Sequence, residues 1–437
     1  MLLAAGLVLP AQVALVVGAT LISLASRAPL YLQISIGVVL GAALGAIPGS
    51  DIAGLRPVGQ IFIAMLKMLI APMILLSISA GVARIGDPRR LGSIGLRTFG
   101  LYVGTSTVAV ATGLVLVNLV RPGTGGALRE TALFQTTVPA AGSVKATAGL
   151  GTFLADSLLA VLHNPFASLA EGRILPIVVF AVLLGLALVR LGPARARPAV
   201  EAIEAGYLAV MEIISWFVRL APVGIFALIG HLVATVGFAT LFESLLGFSA
   251  VVVGGTALHA GVTLPILARV LAGVKPGELF RGLREALLVA LSTSSSAATL
   301  PVTTRCVEEN LQVSPSISSF VLPLGATVNM DGTALYEAIA ALFVANIYGV
   351  DLGLGAQLTV FLMAMLMSIG APGIPSAGMV TMVVVLDAVG LPVEAVGLLI
   401  SIDRFLDTFR TMVNVEGDAV VAVCVARTLP PAHGSSP

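Results

Sequence analysis

Charge is what this sequence has least of. Lys, Arg, Asp and Glu together supply 10% of its 437 residues, against 58% for the hydrophobic set. A soluble domain draws about 25% of its residues from the charged set, so this chain cannot clothe a water-facing surface. Disordered, coiled-coil and disulfide-scaffold classes fail with it. The formal net charge of +1 offers no basic field, and no nucleic-acid partner is expected. Cysteine is limited to Cys306 and Cys424, which lie in apolar or mixed stretches and do not mark a redox compartment. Lysine occurs only at Lys67, Lys145 and Lys275, preceded by Leu66, Val144 and Val274. A P-loop needs Gly before its Lys so that backbone amides can wrap phosphate, so there is no built-in ATP motor. The histidines His163, His231, His259 and His433 are scattered, without an HExxH or paired CxxC, and read as packed or interfacial side chains. No enzyme activity is expected.

What is present is apolar length. Crossing ~30 Å of hydrocarbon takes about 20 residues of helix. Such stretches fall near 30–48, 55–82, 95–119, 174–192, 206–237, 244–272, 313–347 and 392–427. Two more, 278–308 and 354–390, are broken in the middle by Ser, Gly and Pro and read as helix–turn–helix hairpins dipping into the membrane. The expected fold is an all-α polytopic membrane protein with eight transmembrane helices and two re-entrant hairpins. Residues 1–26 form an apolar extension without the basic start of a secretory signal. Residues 431–437 form a short tail.

Basic residues orient the chain. Arg84, Arg89, Arg90 and Arg97 crowd the second connection, Arg190, Arg195 and Arg197 the fourth, and Lys275, Arg281 and Arg284 follow the sixth span. Between Leu220 and Ala268, across the fifth connection, there is no Lys or Arg. Even-numbered connections and both termini are therefore expected in the cytoplasm, with the chain multi-pass in the cell membrane. Arg121, Arg129 and Lys145 in the third connection are a mild exception.

Ionisable groups inside a bilayer cost about 2.5–3.5 kcal/mol each on insertion scales, so the clustering of polar and ionisable residues in 291–427 needs a reason. Ser292, Thr293, Ser294, Ser295 and Ser296 are five consecutive hydroxyl residues followed by Pro301. They suit a hairpin tip whose free N–H groups meet an anion; a polar kink between packed helices is the alternative. The stretch Gly325 to Thr333, with Asn329 and Asp331, predicts an unwound segment whose carbonyls and carboxylate could cage a small hard cation. A kink with a structural Asp is the plainer reading. Ser368 to Gly378 carries three Gly and two Pro in eleven residues, which suits a second re-entrant tip or a water-exposed loop. Finally, Asp403, Asp407, Arg410, Thr411, Asn414 and Asp418 follow one another at spacings of 4, 3, 1, 3 and 4, one face of a helix. That stripe must meet a polar cavity or form an internal ion-pair stripe; Arg410 offers a planar fork for a carboxylate and Asp407 a partner for an ammonium. Hairpin plus span occurs twice, at 278–347 and 354–427, a pattern of transporters built from repeats.

These residues resemble the glutamate transporter family, the amino acid and dicarboxylate:cation symporters, over about 28–427. The resemblance rests on Ser-Ser-Ser-Ala-Ala-Thr-Leu-Pro at 294–301, Asn-Met-Asp-Gly-Thr at 329–333, Ile-Pro-Ser-Ala-Gly at 374–378 and Arg-Thr-Met-Val-Asn-Val-Glu-Gly-Asp at 410–418, in that order. It implies inverted repeats in an elevator-type homotrimer. Scaffold helices would lie in 27–92 and, after a loop, in 123–240, and the transport domain in 93–122 and 241–430. It implies substrate contacts from Ser294, Ser295, Ser296, Thr333, Ile374, Pro375, Ser376, Ala377, Gly378, Asp407, Arg410, Thr411 and Asn414. Arg410 would hold the substrate's side-chain carboxylate, Asp407 its amino group and Asn414 its α-carboxylate. Three Na+ sites are implied. One uses carbonyls of Gly325, Thr327, Asn329 and Asn414 with the Asp418 carboxylate. A second uses Asp331 and Asn329 with Tyr102, Thr105 and Ser106, and a third the carbonyls around Thr327, Ser368, Ile369 and Ala371.

Arg410 implies glutamate or aspartate, since relatives that carry neutral amino acids replace it with a small or polar residue. Asp407 favours an amino acid over a plain dicarboxylate, which has no ammonium to pair. Glu337 lies where animal members carry a proton-coupling Glu, so H+ is expected to travel alongside Na+; a helix-interface Glu is the alternative. Ala297 stands where relatives often have a further Ser, and Glu416 is on the far side of the last helix from Arg410, without a substrate role. The competing readings are a C4-dicarboxylate or neutral amino acid symporter and, in another class, an anion channel.

Overall fold

A computed structural model of the chain describes residues 30–47, 55–84, 88–124, 162–171, 174–370 and 377–428. The expectations for 1–26, for the tail 431–437 and for Ala371, Ile374, Pro375 and Ser376 lie outside them. Among the described residues the structure is helical, without strands. Helices α1 (Leu30–Gly45), α2 (Arg56–Arg84) and α3 (Pro88–Val120) are followed by α4 (Pro165–Glu171), α5 (Ile174–Leu191), α6 (Pro193–Val218), α7 (Ala221–Val236) and α8 (Phe238–Leu258). A π-helical turn, His259–Thr263, carries α8 directly into α9 (Leu264–Ala272). Then come α10 (Pro276–Thr293), α11 (Ser296–Arg305), α12 (Pro315–Val328), α13 (Asp331–Tyr348), α14 (Leu354–Gly370), α15 (Ala377–Ala388) and α16 (Val396–Thr428).

By length and composition three stretches of the described residues can each cross a membrane: Ile94–Val120, Phe238–Ala272 and Pro315–Tyr348. The stretch expected as one span over 206–237 is broken into two helices, Pro193–Phe217 and Ala221–Val236, bent by 55°. Pro222 explains the break: its ring excludes the helical hydrogen bond and crowds the preceding turn.

One group of helices is held by bare backbone contact. Gly37, Gly41 and Gly45 recur every fourth residue on α1, and a Cβ at these positions would lie 2.5–2.6 Å from the carbonyl oxygens of Pro222, Phe226 and Gly230 on α7. Only glycine allows that approach, which replaces hydrophobic driving force with close van der Waals packing. Helix α2 packs against α5, α6 and α7. In the second group α13 is the centre. Every residue from Asp331 to Ala345 is buried, enclosed by α3, α8, α14, α15 and α16. Helix α16 in turn packs on α9, α10, α12 and α13, with Val413, Val415 and the run from Ala419 to Val425 in the apolar core. Arg97 ties α3 to the end of α16 by donating to the Thr428 carbonyl. Such enclosure is what lets α13 and α16 carry polar groups away from lipid.

Candidate substrate and cation sites

The polar stripe of α16 begins with a guanidinium held on its own helix. Arg410 is fully buried, and its Nη2 donates to Asp403 Oδ1 and to Asp407 Oδ1, both at 2.7 Å. The guanidinium carbon lies 4.0 Å from the ring centroid of Tyr336 on α13, a cation–π contact in a desolvated setting. Nε and Nη1 find no protein acceptor among the described residues. Glycines let other backbones reach this group. A Cβ at Gly378, at the start of α15, would lie 2.8 Å from Arg410 Nη1 and 3.5 Å from Thr333 Cγ2. A Cβ on Gly332 would lie 2.8 Å from the Arg410 Cα.

Asn414, one turn on, accepts the Gly332 N–H at 2.8 Å, while its Nδ2 lies 3.4 Å from both Met330 Sδ and Thr333 Oγ1. Its side chain thus fastens the start of α13 to α16. Thr411 is buried beside it.

The serine cluster forms a tight turn between α10 and α11. Ser294 takes the left-handed conformation at φ 51, and Ser295 caps α11 by accepting the Ala298 N–H at 3.2 Å. A short polar side chain that can bond its own backbone tolerates these roles better than an apolar one. Ser294, Ser295 and Ser296 are all buried.

The break in the Pro315–Tyr348 stretch is narrower than its composition suggests. Helix α12 continues through Val328, and only Asn329 (φ −110, ψ 82) and Met330 (φ −113, ψ 58) leave the helical region. The Gly325 carbonyl still accepts from Asn329 N at 2.9 Å. Glycine matters at 325 for another reason: a Cβ there would collide with Asp418 Oδ1 and lie 2.5 Å from Tyr102 Oη.

Around this break runs a continuous buried network. Asp418 Oδ1 accepts from Asn329 Nδ2 at 3.0 Å, and Thr105 Oγ1 donates to Asn329 Oδ1 at 3.3 Å. Ser106 Oγ donates to Asp331 Oδ1 at 2.5 Å, and His259 Nε2 is 3.2 Å from Asp331 Oδ2. Tyr102 Oη donates to the Val321 carbonyl at 2.8 Å, which sets it on the Asp418 side of the network. The two carboxylate-centred sites expected from the sequence therefore share Asn329 and touch. Ser368 and Ile369 line a small cavity with Tyr102 and Ser106, whereas the Thr327 hydroxyl turns to its own helix at Leu324 O. Thr327 is absent from the lining of that cavity.

Four side chains have contacts that the sequence reading did not assign. Asp403 stood in the stripe without a role, and it pairs with Arg410. Tyr336, one turn after Thr333, stacks on Arg410. His259, read as a packed residue, meets Asp331 from a π-helical turn, a local irregularity that often marks functional positions. Arg404, on the same helix, lies beside Asp407.

Enclosed helices carrying a buried guanidinium and several buried carboxylates define a polytopic helical membrane protein with a charged interior. The pattern of the sodium:dicarboxylate symporter family matches residues 30–428, and the chain belongs to that family. Its relatives include excitatory amino acid transporter 3 of Homo sapiens, 38% identical over 404 residues, covering 83% of this chain and 76% of the human protein. The proton/sodium-glutamate symport protein of Geobacillus stearothermophilus is 33% identical over 402 residues, 90% of this chain and 93% of that protein. An excitatory amino acid transporter of Caenorhabditis elegans is 35% identical over 439 residues, 88% and 84% of the two chains.

Proposed function

We propose that the chain is a secondary active symporter that takes up L-glutamate or L-aspartate on the Na+ gradient, with H+ as a second coupling ion. The observation that carries this reading is Arg410. A fully buried guanidinium with two donors lacking a protein acceptor among the described residues suits a carboxylate ligand bound in the plane of the fork. Asp407 supplies the opposite charge for an ammonium, and Thr333, Thr411, Asn414, Ser294 to Ser296 and the 374–378 segment complete the contacts. A site with both signs of charge fits an amino acid better than a plain dicarboxylate, and tight binding of a zwitterion argues against an anion channel. The names of the human and Geobacillus relatives, excitatory amino acid transporter and proton/sodium-glutamate symport protein, support the substrate class and the ions.

In this reading Na+ is cargo held by oxygen ligands from the Asp418–Asn329–Thr105 and Ser106–Asp331 network, with further carbonyls around Ser368 to Ala371. Eight spans and two re-entrant hairpins, α10–α11 and α14–α15, form each subunit of a homotrimer in the cell membrane with both termini cytoplasmic. The second helix group moves as an elevator against the first. Radiolabelled L-aspartate uptake into proteoliposomes tests the proposal: concentrative, saturable uptake that requires an inward Na+ gradient is expected. Equal uptake without the gradient would sink it.

Glu337 supplies the proton site. It is fully buried on α13, the residue after Tyr336. A carboxyl in that setting is neutral when protonated and costly when bare, so it can take up H+ at one face and release it at the other. Glu337→Gln, which fixes the neutral shape, is expected to abolish stimulation of uptake by an inward pH gradient while Na+-driven uptake persists. Unchanged stimulation would remove Glu337 from coupling.

A further inference from the structure

Asp407 lies between two guanidiniums. Its Oδ1 accepts from the buried Arg410 at 2.7 Å, and its Oδ2 lies 3.8 Å from Nη1 of Arg404 one turn earlier on α16. Arg404 is 20% exposed. Its Nη2 also donates to the Thr293 carbonyl at 3.4 Å. Thr293 is the last residue of α10, and the chain turns left-handed at Ser294, so its carbonyl is among those left without an intrahelical donor at the negative end of the helix. Arg404 therefore joins the serine turn to the same carboxylate that the proposed function assigns to the substrate ammonium.

We infer that Arg404 is a positioning residue that competes with the substrate ammonium for Asp407 and so sets the affinity for amino acid substrates. The inference rests on the ammonium-binding reading of Asp407. Two cations on one carboxylate oppose each other, and a partly exposed Arg on a flexible stem can yield to an incoming ammonium. The competition is weak because the contact, at 3.8 Å, is longer than a hydrogen bond and Arg404 keeps part of its side chain in water, so its removal produces a modest effect.

The test measures KM and maximal rate of Na+-driven L-aspartate uptake by the full chain in proteoliposomes. Arg404→Met is expected to lower KM about threefold, the scale of a partly exposed ion pair, without lowering the maximal rate. Arg404→Lys, which restores the charge, is expected to return KM towards the wild-type value. Arg404→Gln keeps a donor for the Thr293 carbonyl without the charge, and is expected to behave as the Met variant does. A Met variant with unchanged or raised KM, or a Gln variant at the wild-type KM, overturns the inference. Asp407→Asn separates the two levels. If it raises KM while Arg404→Met leaves it unchanged, the inference alone falls. If Asp407→Asn leaves KM unchanged, the ammonium assignment falls and takes the inference with it.

Discussion

Replacing Arg410 with Ala is expected to abolish uptake of acidic substrate, by about 100-fold or more in kcat/KM for L-aspartate. The size follows from burial. Arg410 has no exposed surface and bonds Asp403 and Asp407 at 2.7 Å. Removing the cation of such a set leaves carboxylates in a low-dielectric interior with no counter-charge, at a cost of about 3–5 kcal/mol. A substrate carboxylate entering the same place would meet repulsion instead of a fork. Arg410→Lys keeps the charge but not the planar pair of donors, so it is expected to fall between wild type and Ala. L-serine offers no second carboxylate, and its uptake is expected to survive Arg410→Ala better than that of L-aspartate. The measurement is parallel uptake of the two labelled amino acids with purified protein whose elution as a single peak excludes misfolding. Equal loss of both substrates would place Arg410 in the structural frame of α13 and α16 and withdraw its role in selectivity.

The parts of this site that were legible in the sequence are those written in local periodicity. The spacing of Asp403, Asp407, Arg410, Thr411, Asn414 and Asp418 defines one helix face, and all six are buried on α16. Serines at 294–296 and a break within 325–333 likewise announce themselves, because runs of hydroxyls and the Asn-Met-Asp-Gly sequence disfavour continuous apolar helix. The row Gly37, Gly41, Gly45 was equally open to reading, as a four-residue repeat of the smallest side chain. Hidden features depend on residues far apart in the chain. His259 meets Asp331 across 72 positions, and Thr105 meets Asn329 across 224. No window of sequence holds both partners. Composition also misjudged how far the backbone unwinds. Gly325 and Thr327 look like helix breakers, yet neighbouring hydrogen bonds hold α12 together to Val328, and glycine serves there to admit the Asp418 carboxylate and the Tyr102 hydroxyl.

That carboxylate yields the second large prediction. Asp418 is 3% exposed and accepts from Asn329, and no described ion pair reaches it. A buried carboxylate without a cation is unstable by several kcal/mol, whereas a bound Na+ offsets that cost. Asp418→Asn preserves shape and volume and removes the charge. In Na+-free buffer the variant is therefore expected to be at least as stable as wild type, with Tm unchanged or higher. Adding Na+ should stabilise wild type by mass action, about 2.7 kcal/mol per site at 100 times the dissociation constant, and stabilise the variant by less because one site is lost. Uptake of L-aspartate by the variant should need a higher Na+ concentration than wild type, since the other proposed Na+ sites remain. The two readouts divide the explanations. A variant that melts early in Na+-free buffer would mean that Asp418 is a structural acceptor for Asn329. A variant that melts normally and still gains as much stability from Na+ as wild type does would take Asp418 out of Na+ binding and leave the Asp331 carboxylate, whose oxygens meet Ser106 and His259.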